Sequence, residues 1–280
     1  MNPETLLTPI IQAASRSNRI NAGDYEQDGI LFCGKCHTAK QTVIPMGGEQ
    51  IKVLCLCDCA SEAYEQERLE EAARKKRAEI ERLRISGLND SAIRQITFSF
   101  DDGRGEKLAE AKRYVAKWDK MYRQNIGLLM WGNTGNGKTF AAACIANALI
   151  DEGVPVLMTG FAKLLNALTG LYPGERIEYL DSLKHYPLLI LDDLGAERDT
   201  SFALEQVYAV IDARYKQHKP LIVTTNMTLA EMQKPKNMDY QRIYDRVLEM
   251  CVPLHFKGDS RRKDKAAEKL KQALKELTDE

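Results

Sequence analysis

The chain has 280 residues, 44% of them hydrophobic and 29% charged, enough for one or two domains with a sizeable core and unlike the composition of a disordered polymer. Its 40 basic side chains balance 40 acidic ones, so the overall field does not advertise nucleic-acid binding, and any DNA contact must come from local patches. Glu4, Arg16, Arg19, Asp24, Glu26 and Asp28 break up residues 1–30; no secretory signal and no membrane-spanning window is present, so a cytoplasmic protein without a membrane partner is expected.

Residues 1–30 hold Pro3, Pro9 and Gly23 with weak helical periodicity at Leu6, Leu7, Ile10 and Ile11, a small entry segment. Five cysteines then crowd together, Cys33, Cys36, Cys55, Cys57 and Cys59, which in a reducing compartment points to metal and not to disulfides. Cys33-Gly34-Lys35-Cys36 brings two thiolates to one tetrahedral centre, and Cys55-Leu56-Cys57-Asp58-Cys59 offers a second pair, with His37 as a competitor. Between these knuckles, β-type runs at 41–44 and 50–56 flank the turn Pro45-Met46-Gly47-Gly48, the pattern of a hairpin. So few large apolar residues need a staple, and the Zn²⁺ expected here is structural. Cys144 and Cys251 sit in apolar surroundings and read as core.

Residues 61–84 are almost all Ala, Glu, Gln, Lys, Arg and Leu, with Glu70 and Arg74, and Glu71 and Lys75, four apart, so a solvated helix follows. Its charges satisfy one another, which favours a linker over a partner-binding surface. Ser86-Gly87-Leu88-Asn89-Asp90 ends it. The expected organisation is an N-terminal module at 1–60, a linker at 61–90, the main domain at 91–262 and a charged tail at 263–280.

Beyond that boundary helix and strand alternate: a helix at about 104–124, a strand at 126–131, a helix at 138–151 and a strand at 154–159. Strands at 186–192, 221–225 and 252–256 follow, with a helix at 202–216. Strands that are continuous apolar runs between helices form a parallel sheet covered on both faces. The fold class is therefore α/β, a doubly wound parallel sheet.

Gly132-Asn133-Thr134-Gly135-Asn136-Gly137-Lys138-Thr139 fits G-x-x-x-x-G-K-[ST] and stands between strand and helix, the context that motif needs. The glycines let backbone N–H groups close around phosphates, the helix N-terminus adds partial positive charge, Lys138 reaches the β/γ-phosphates, and the Thr139 hydroxyl ligates Mg²⁺. The apolar run Leu188-Leu189-Ile190-Leu191 ends in Asp192-Asp193; Asp192 would hold Mg²⁺ through its hydration shell and Asp193 would orient or deprotonate the attacking water. Asn226 closes the strand at 221–225 where its side chain can touch the γ-phosphate or the water. Taken alone, such an Asp is as often a helix cap and such an Asn more often a turn residue; the phosphate loop tips the balance for the aspartates.

With these strand ends in order, residues from about 98 to 262 resemble the AAA+ ATPases, specifically the DnaC/DnaI helicase loaders and their relative, the IstB transposition helper. Gly127-Leu128-Leu129-Met130-Trp131-Gly132, Asp192-Asp193-Leu194-Gly195 and Thr224-Thr225-Asn226 look like that group's Walker A, Walker B and sensor 1. The resemblance implies an arginine finger for a neighbouring subunit at Arg246, within Arg242-Ile243-Tyr244-Asp245-Arg246, and a sensor 2 arginine at Arg262, with Arg261 the alternative, within Asp259-Ser260-Arg261-Arg262. Residue pattern alone would pair these arginines with Asp245 or Asp259. Most AAA+ proteins carry Asp-Glu where this chain has Asp192-Asp193, which implies slow turnover.

Among the second cysteines, Cys57 and Cys59 stand nearest the following helix, as in similar loaders, with Cys55 a substitute. The resemblance further implies Mg-ATP/ADP as ligand, docking of the N-terminal module on a hexameric DnaB-like replicative helicase, single-stranded DNA as a partner, and self-association through the ATPase domain. Competing readings are an IstB-like transposition helper on duplex DNA, against which the zinc module argues, and a zinc adaptor whose ATP site only stabilises the fold. The tail from Lys257 mixes Arg261, Arg262, Lys263, Lys265, Lys269, Lys271 and Lys275 with acids, a solvated helix more than a DNA arm.

Overall fold

The computed structural model describes residues 20–46, 48–101, 107–195, 201–235, 238–258, 260, 269–271 and 273–277; the entry-segment periodicity, Asp259, Arg261 and Arg262 lie outside them. The chain divides into two compact units, 1–78 and 79–280.

In the first unit β1 (Tyr25–Gln27) and β2 (Ile30–Phe32) pair antiparallel. They join through Asp28 and Gly29 at φ 53° and 72°, the left-handed pair that Asp-Gly favours in a two-residue hairpin turn. This strand pair was not expected, because three-residue runs are too short to show alternation. A second hairpin joins β3 (Gln41–Met46) to β4 (Glu49–Leu54) with Ile44 opposite Ile51; its strands run closer to the turn than the sequence suggested.

The helix α1 (Asp58–Gly87) starts directly after Cys57, and the boundary between the units falls inside it. Its Glu71 pairs with Lys75 at 2.8 Å, whereas Glu70 accepts a hydrogen bond from Gln66 at 3.3 Å. The last turns are less solvated than expected. Ile80 and Leu83 pack on the core of the second unit, Arg84 donates to Asn147 at 3.3 Å and pairs with Asp151, and Leu88 bridges to Met158.

The second unit is built on one parallel sheet of five strands, β5 (Gly127–Trp131), β6 (Val156–Gly160), β7 (Leu188–Leu194), β8 (Leu221–Thr225) and β9 (Cys251–His255), in the order β6-β7-β8-β5-β9. Alternate residues of each strand feed two cores: Leu129, Leu189, Leu191 and Val223 on one face, Leu128, Met130, Ile190 and Ile222 on the other. Burial on both faces is why these strands read as unbroken apolar runs.

The helices covering the sheet are α2 (Ser91–Arg94), α3 (Leu108–Ala116), α4 (Trp118–Arg123), α5 (Lys138–Asp151), α6 (Phe161–Thr169), α7 (Pro173–Ser182), α8 (Ser201–Lys216), α9 (Leu229–Gln233) and α10 (Met238–Met250). The expected helix at 104–124 divides at Lys117, the C-cap of α3. Strand β6 begins later than expected because Gly153, at φ 86°, lets the Val154 N–H close onto Leu149 O at 2.9 Å. Strand β7 begins late too: the carbonyls of Tyr186 and Pro187 are taken by Arg214, at 2.8 and 2.6 Å. Arg214 is 1% exposed, and its guanidinium also donates to Pro220 O and Leu183 O. Among the described residues no helix is long and apolar enough to cross a membrane.

Candidate nucleotide site and cysteine cluster

The loop between β5 and α5 is held open by backbone that only glycine accepts readily. Gly132 and Gly135 sit at φ 136° and 90°, and a Cβ would drive Gly132 into the Phe256 carbonyl and Gly135 into the Ser260 hydroxyl. Asn136 is buried and its amide donates to Phe256 O, tying the loop to the chain beyond β9. Gly137 is the N-cap of α5, so the free N–H groups of that helix face the loop and favour an anion there. Asn133 and Thr134 are exposed at the loop's outer side.

Lys138, the first residue of α5, is 5% exposed. Its ammonium donates to Gly132 O and Asn133 O, both at 2.8 Å, and to Asn226 Oδ1 at 2.9 Å. The end of β8 is thus joined to the loop by one cation. Next along the helix, the Thr139 hydroxyl donates to Asp192, 3.0 and 3.2 Å from its two oxygens. That hydrogen bond turns the Thr139 lone pairs away from the carboxylate, leaving hydroxyl and carboxylate oxygens together, a hard donor set that fits Mg²⁺. Burial pushes the Asp192 carboxyl above the usual carboxylate range, the Thr224 hydroxyl draws it back, and neighbouring Asp193 raises it again. Asp193 is exposed at φ 60°.

The structure therefore sets two hydrogen-bonded pairs at adjacent positions of α5, Lys138 with Asn226 and Thr139 with Asp192, with Asp193 next to the second. Arg246 is elsewhere engaged. Its guanidinium pairs with Asp212 of α8, not with Asp245, and lies over the rings of Tyr208 and Tyr215 at 4.6 and 5.4 Å. One contribution went unread in the sequence: Thr224 entered it only as part of the Thr224-Thr225-Asn226 run, yet its hydroxyl reaches both aspartates. Asn136, expected as part of the phosphate loop, also ties that loop to Phe256.

In the first unit the sulfurs of Cys33, Cys36, Cys57 and Cys59 all lie within 4.8 Å of one another. Cys59 Sγ is 3.7 Å from Cys33 and 3.5 Å from Cys57, near the edge of about 3.8 Å that a tetrahedron with Zn–S bonds of about 2.3 Å requires. The Cys59 backbone N–H and the Thr38 hydroxyl lower Cys36 to about 5, and the backbone N–H groups of Cys36 and Lys35 lower Cys33. Hydrogen bonding with the sulfurs of Cys57, Cys36 and Cys33 pushes Cys59 up to about 12, and burial raises Cys57. Two thiols are thus drawn towards ionisation and two away from it; four convergent sulfurs fit zinc.

Cys55 lies outside this group, its thiol on Ala39 O at 3.4 Å. The His37 ring is 5.9 Å from that of Tyr25. Asp24 braces the first knuckle by accepting the Gly34 N–H at 3.0 Å while pairing with Lys40 at 2.6 Å; that ammonium, with the Asn21 and Gly34 N–H groups, holds its carboxyl at about 2.

A family model described as IstB-like ATP binding protein matches residues 63–269, which begin after Cys59. The chain is similar to the replicative helicase loader DnaI of Bacillus subtilis, 28% identical over 164 residues that cover 54% of this chain and 53% of that protein. It is similar to the phage-like element PBSX protein XkdC of Bacillus subtilis, 27% identical over 238 residues, 78% of this chain and 79% of that one. A crystal structure of DnaI superposes with a TM-score of 0.51 and 26% identity over 61% of this chain and 96% of that chain. The chain spans about half the length of the DnaI loader that it matches.

Proposed function

Because the chain belongs to the family of IstB-like ATP binding proteins, we propose that it is an ATP-dependent loader that binds a hexameric replicative helicase and delivers it onto single-stranded DNA in the cytoplasm. The observation that carries this reading is the set of direct hydrogen bonds joining Lys138 to Asn226 and Thr139 to Asp192, a phosphate loop wired to two strand ends. The likeness to DnaI supports the choice of a helicase over other partners.

In this reading the backbone of Gly132–Thr139 and the N-terminus of α5 cradle the phosphates, and Lys138 exchanges its carbonyl partners for phosphate oxygens. Thr139 and Asp192 hold Mg²⁺, which supplies charge neutralisation at the β/γ-phosphates. Asp193 positions the water and Asn226 senses the γ-phosphate. The shorter Asp193 side chain makes turnover slow, so ATP acts as a switch. Arg246 serves a neighbouring subunit once self-assembly opens its pair with Asp212, and Arg262, with Arg261 as alternative, completes the site from the same chain. Cys33, Cys36, Cys57 and Cys59 hold a structural Zn²⁺, and the module that they staple docks on the helicase.

The family model itself favours a second reading, a transposition helper on duplex DNA; the cysteine cluster, outside the matched residues, is what sets the loader reading ahead. Titration with a fluorescent ATP analogue and Mg²⁺ should saturate, and Lys138→Ala should weaken binding at least about tenfold, the loss of one charged hydrogen-bonding group on phosphate. The wild-type chain should co-purify with a replicative helicase through residues 1–90. No saturable binding would remove the nucleotide site; capture of a transposase in place of a helicase would favour the second reading.

A further inference from the structure

The two aspartates at the end of β7 do not follow the ladder of their strand. Pairing with β8 runs Leu191 to Val223 and then Leu194 to Thr225, so β7 carries one extra residue, a bulge at Asp192 and Asp193. The bulge takes Asp193 out of register and into φ 60°, a conformation that a non-glycine residue holds only when its surroundings impose it. One side chain meets both displaced residues. Thr224, 0% exposed in the interior of β8, accepts the Asp193 N–H on its hydroxyl oxygen at 2.9 Å and donates its single hydroxyl hydrogen to Asp192 Oδ1 at 2.6 Å.

The direction of these bonds is fixed, because an amide N–H only donates and a hydroxyl has one hydrogen to give. Asp192 then receives two hydroxyl donors, Thr224 from β8 and Thr139 from α5, and its carboxylate plane is set by both. Thr225 stitches the far side of the same bulge by donating to Leu194 O at 2.7 Å, but touches neither aspartate through that bond. Bulges beside active sites commonly re-aim a side chain; here the bulge turns Asp193 outward, and Thr224 replaces the ladder contact that the bulge removes.

We propose that Thr224 is a positioning residue that holds Asp192 on the Mg²⁺ side of the phosphate loop and locks the bulge that presents Asp193. The proposal rests on the nucleotide-site reading above. It assigns to β8 a task separate from that of Asn226 at its end: the strand supplies one residue facing the nucleotide and one that aims the neighbouring carboxylates.

Thr224→Val keeps the shape of the side chain and removes both bonds, and Thr224→Ser keeps the hydroxyl. Affinity for a fluorescent ATP analogue is measured in EDTA and then across a Mg²⁺ titration, together with turnover. In Thr224→Val the metal-free affinity should stay within about twofold while Mg²⁺ affinity and turnover fall about 10- to 100-fold, the usual cost of losing a partner behind a metal ligand; Thr224→Ser should restore both. A valine variant with wild-type Mg²⁺ dependence and turnover overturns the proposal. So does one that loses metal-free and metal-dependent binding equally, or a serine variant as impaired as the valine one.

Hydrogen exchange of the Asp193 amide in the unmodified chain decides the matter even if the valine variant does not fold. Protection supports the Thr224 contact, and exchange at the rate of an open loop overturns it. A wild-type chain that binds no nucleotide would sink the nucleotide reading, and the amide measurement would still report on Thr224.

Discussion

Replacing Arg214 with Met tests how the sheet that carries the nucleotide site is held at its opposite end. All five guanidinium N–H groups are used, on the carbonyls of Leu183, Tyr186, Pro187 and Pro220, which precede β7 and β8. Methionine fills much of the volume but leaves four carbonyls without that donor, at about 1.5 kcal/mol each or about 6 kcal/mol in total. Burial opposes this, because it pulls the guanidinium from its ordinary value down to about 10, about 3 kcal/mol of lost hydration that the variant recovers. The difference, about 3 kcal/mol of lost stability, should lower the urea midpoint by about 1 M at a slope of about 2–3 kcal/mol/M. Trp118 and Trp131 are the two tryptophans of the chain and both belong to residues 79–280, so intrinsic fluorescence follows this unit alone. Arg214→Lys should remain destabilised, because one ammonium cannot span carbonyls that a planar fork reaches. A midpoint unchanged in the Met variant, or fully restored by Lys, would refute the reasoning.

Metal analysis should find about one equivalent of zinc; Cys57→Ser and Cys59→Ser should each lose most of it, whereas Cys55→Ser should retain it, since only the first two belong to the sulfur cluster and a structural site closes on four ligands. Asp192 is raised in the folded chain, so protons compete with Mg²⁺ at a higher pH than an ordinary carboxylate allows; Mg²⁺-dependent nucleotide binding should weaken as pH falls through the acid range, and Asp192→Asn should abolish that pH dependence along with most of the Mg²⁺ dependence. Gly135→Ala should weaken nucleotide binding and cost about 1–3 kcal/mol of stability from its left-handed φ, with an added clash on Ser260. Gly137→Ala, with open space around its Cβ position, should show the backbone cost alone; equal stability losses in the two variants would remove Ser260 from the account.

Local signals carried much of the chain. Gly132–Thr139 could be located because a phosphate loop is a contiguous run between one strand and one helix, and helix α5 and strand β8 have the bounds read from composition. The four clustered sulfurs were also legible, since short spacings limit which thiols can converge, and the Asp28-Gly29 turn was legible in principle though its strands were too short to announce themselves. The rest depended on residues far apart in sequence. Arg246 stands next to a natural partner, Asp245, yet folding carries it to Asp212 and two tyrosines of α8. Thr224 reads as one more β-branched strand residue until β7 arrives beside it with an extra residue in its ladder.

What the sequence determined by itself, then, was which residues have the chemistry to hold phosphate, Mg²⁺ and zinc, because those abilities belong to side-chain types at fixed short spacing. Only the tertiary structure decided how they are aimed: which carboxylate a hydroxyl orients, which carbonyls a buried guanidinium joins and which cation is taken up by a neighbouring helix. Those choices are made by the register between strands and the packing of helices on a sheet, contacts between segments that no local pattern encodes.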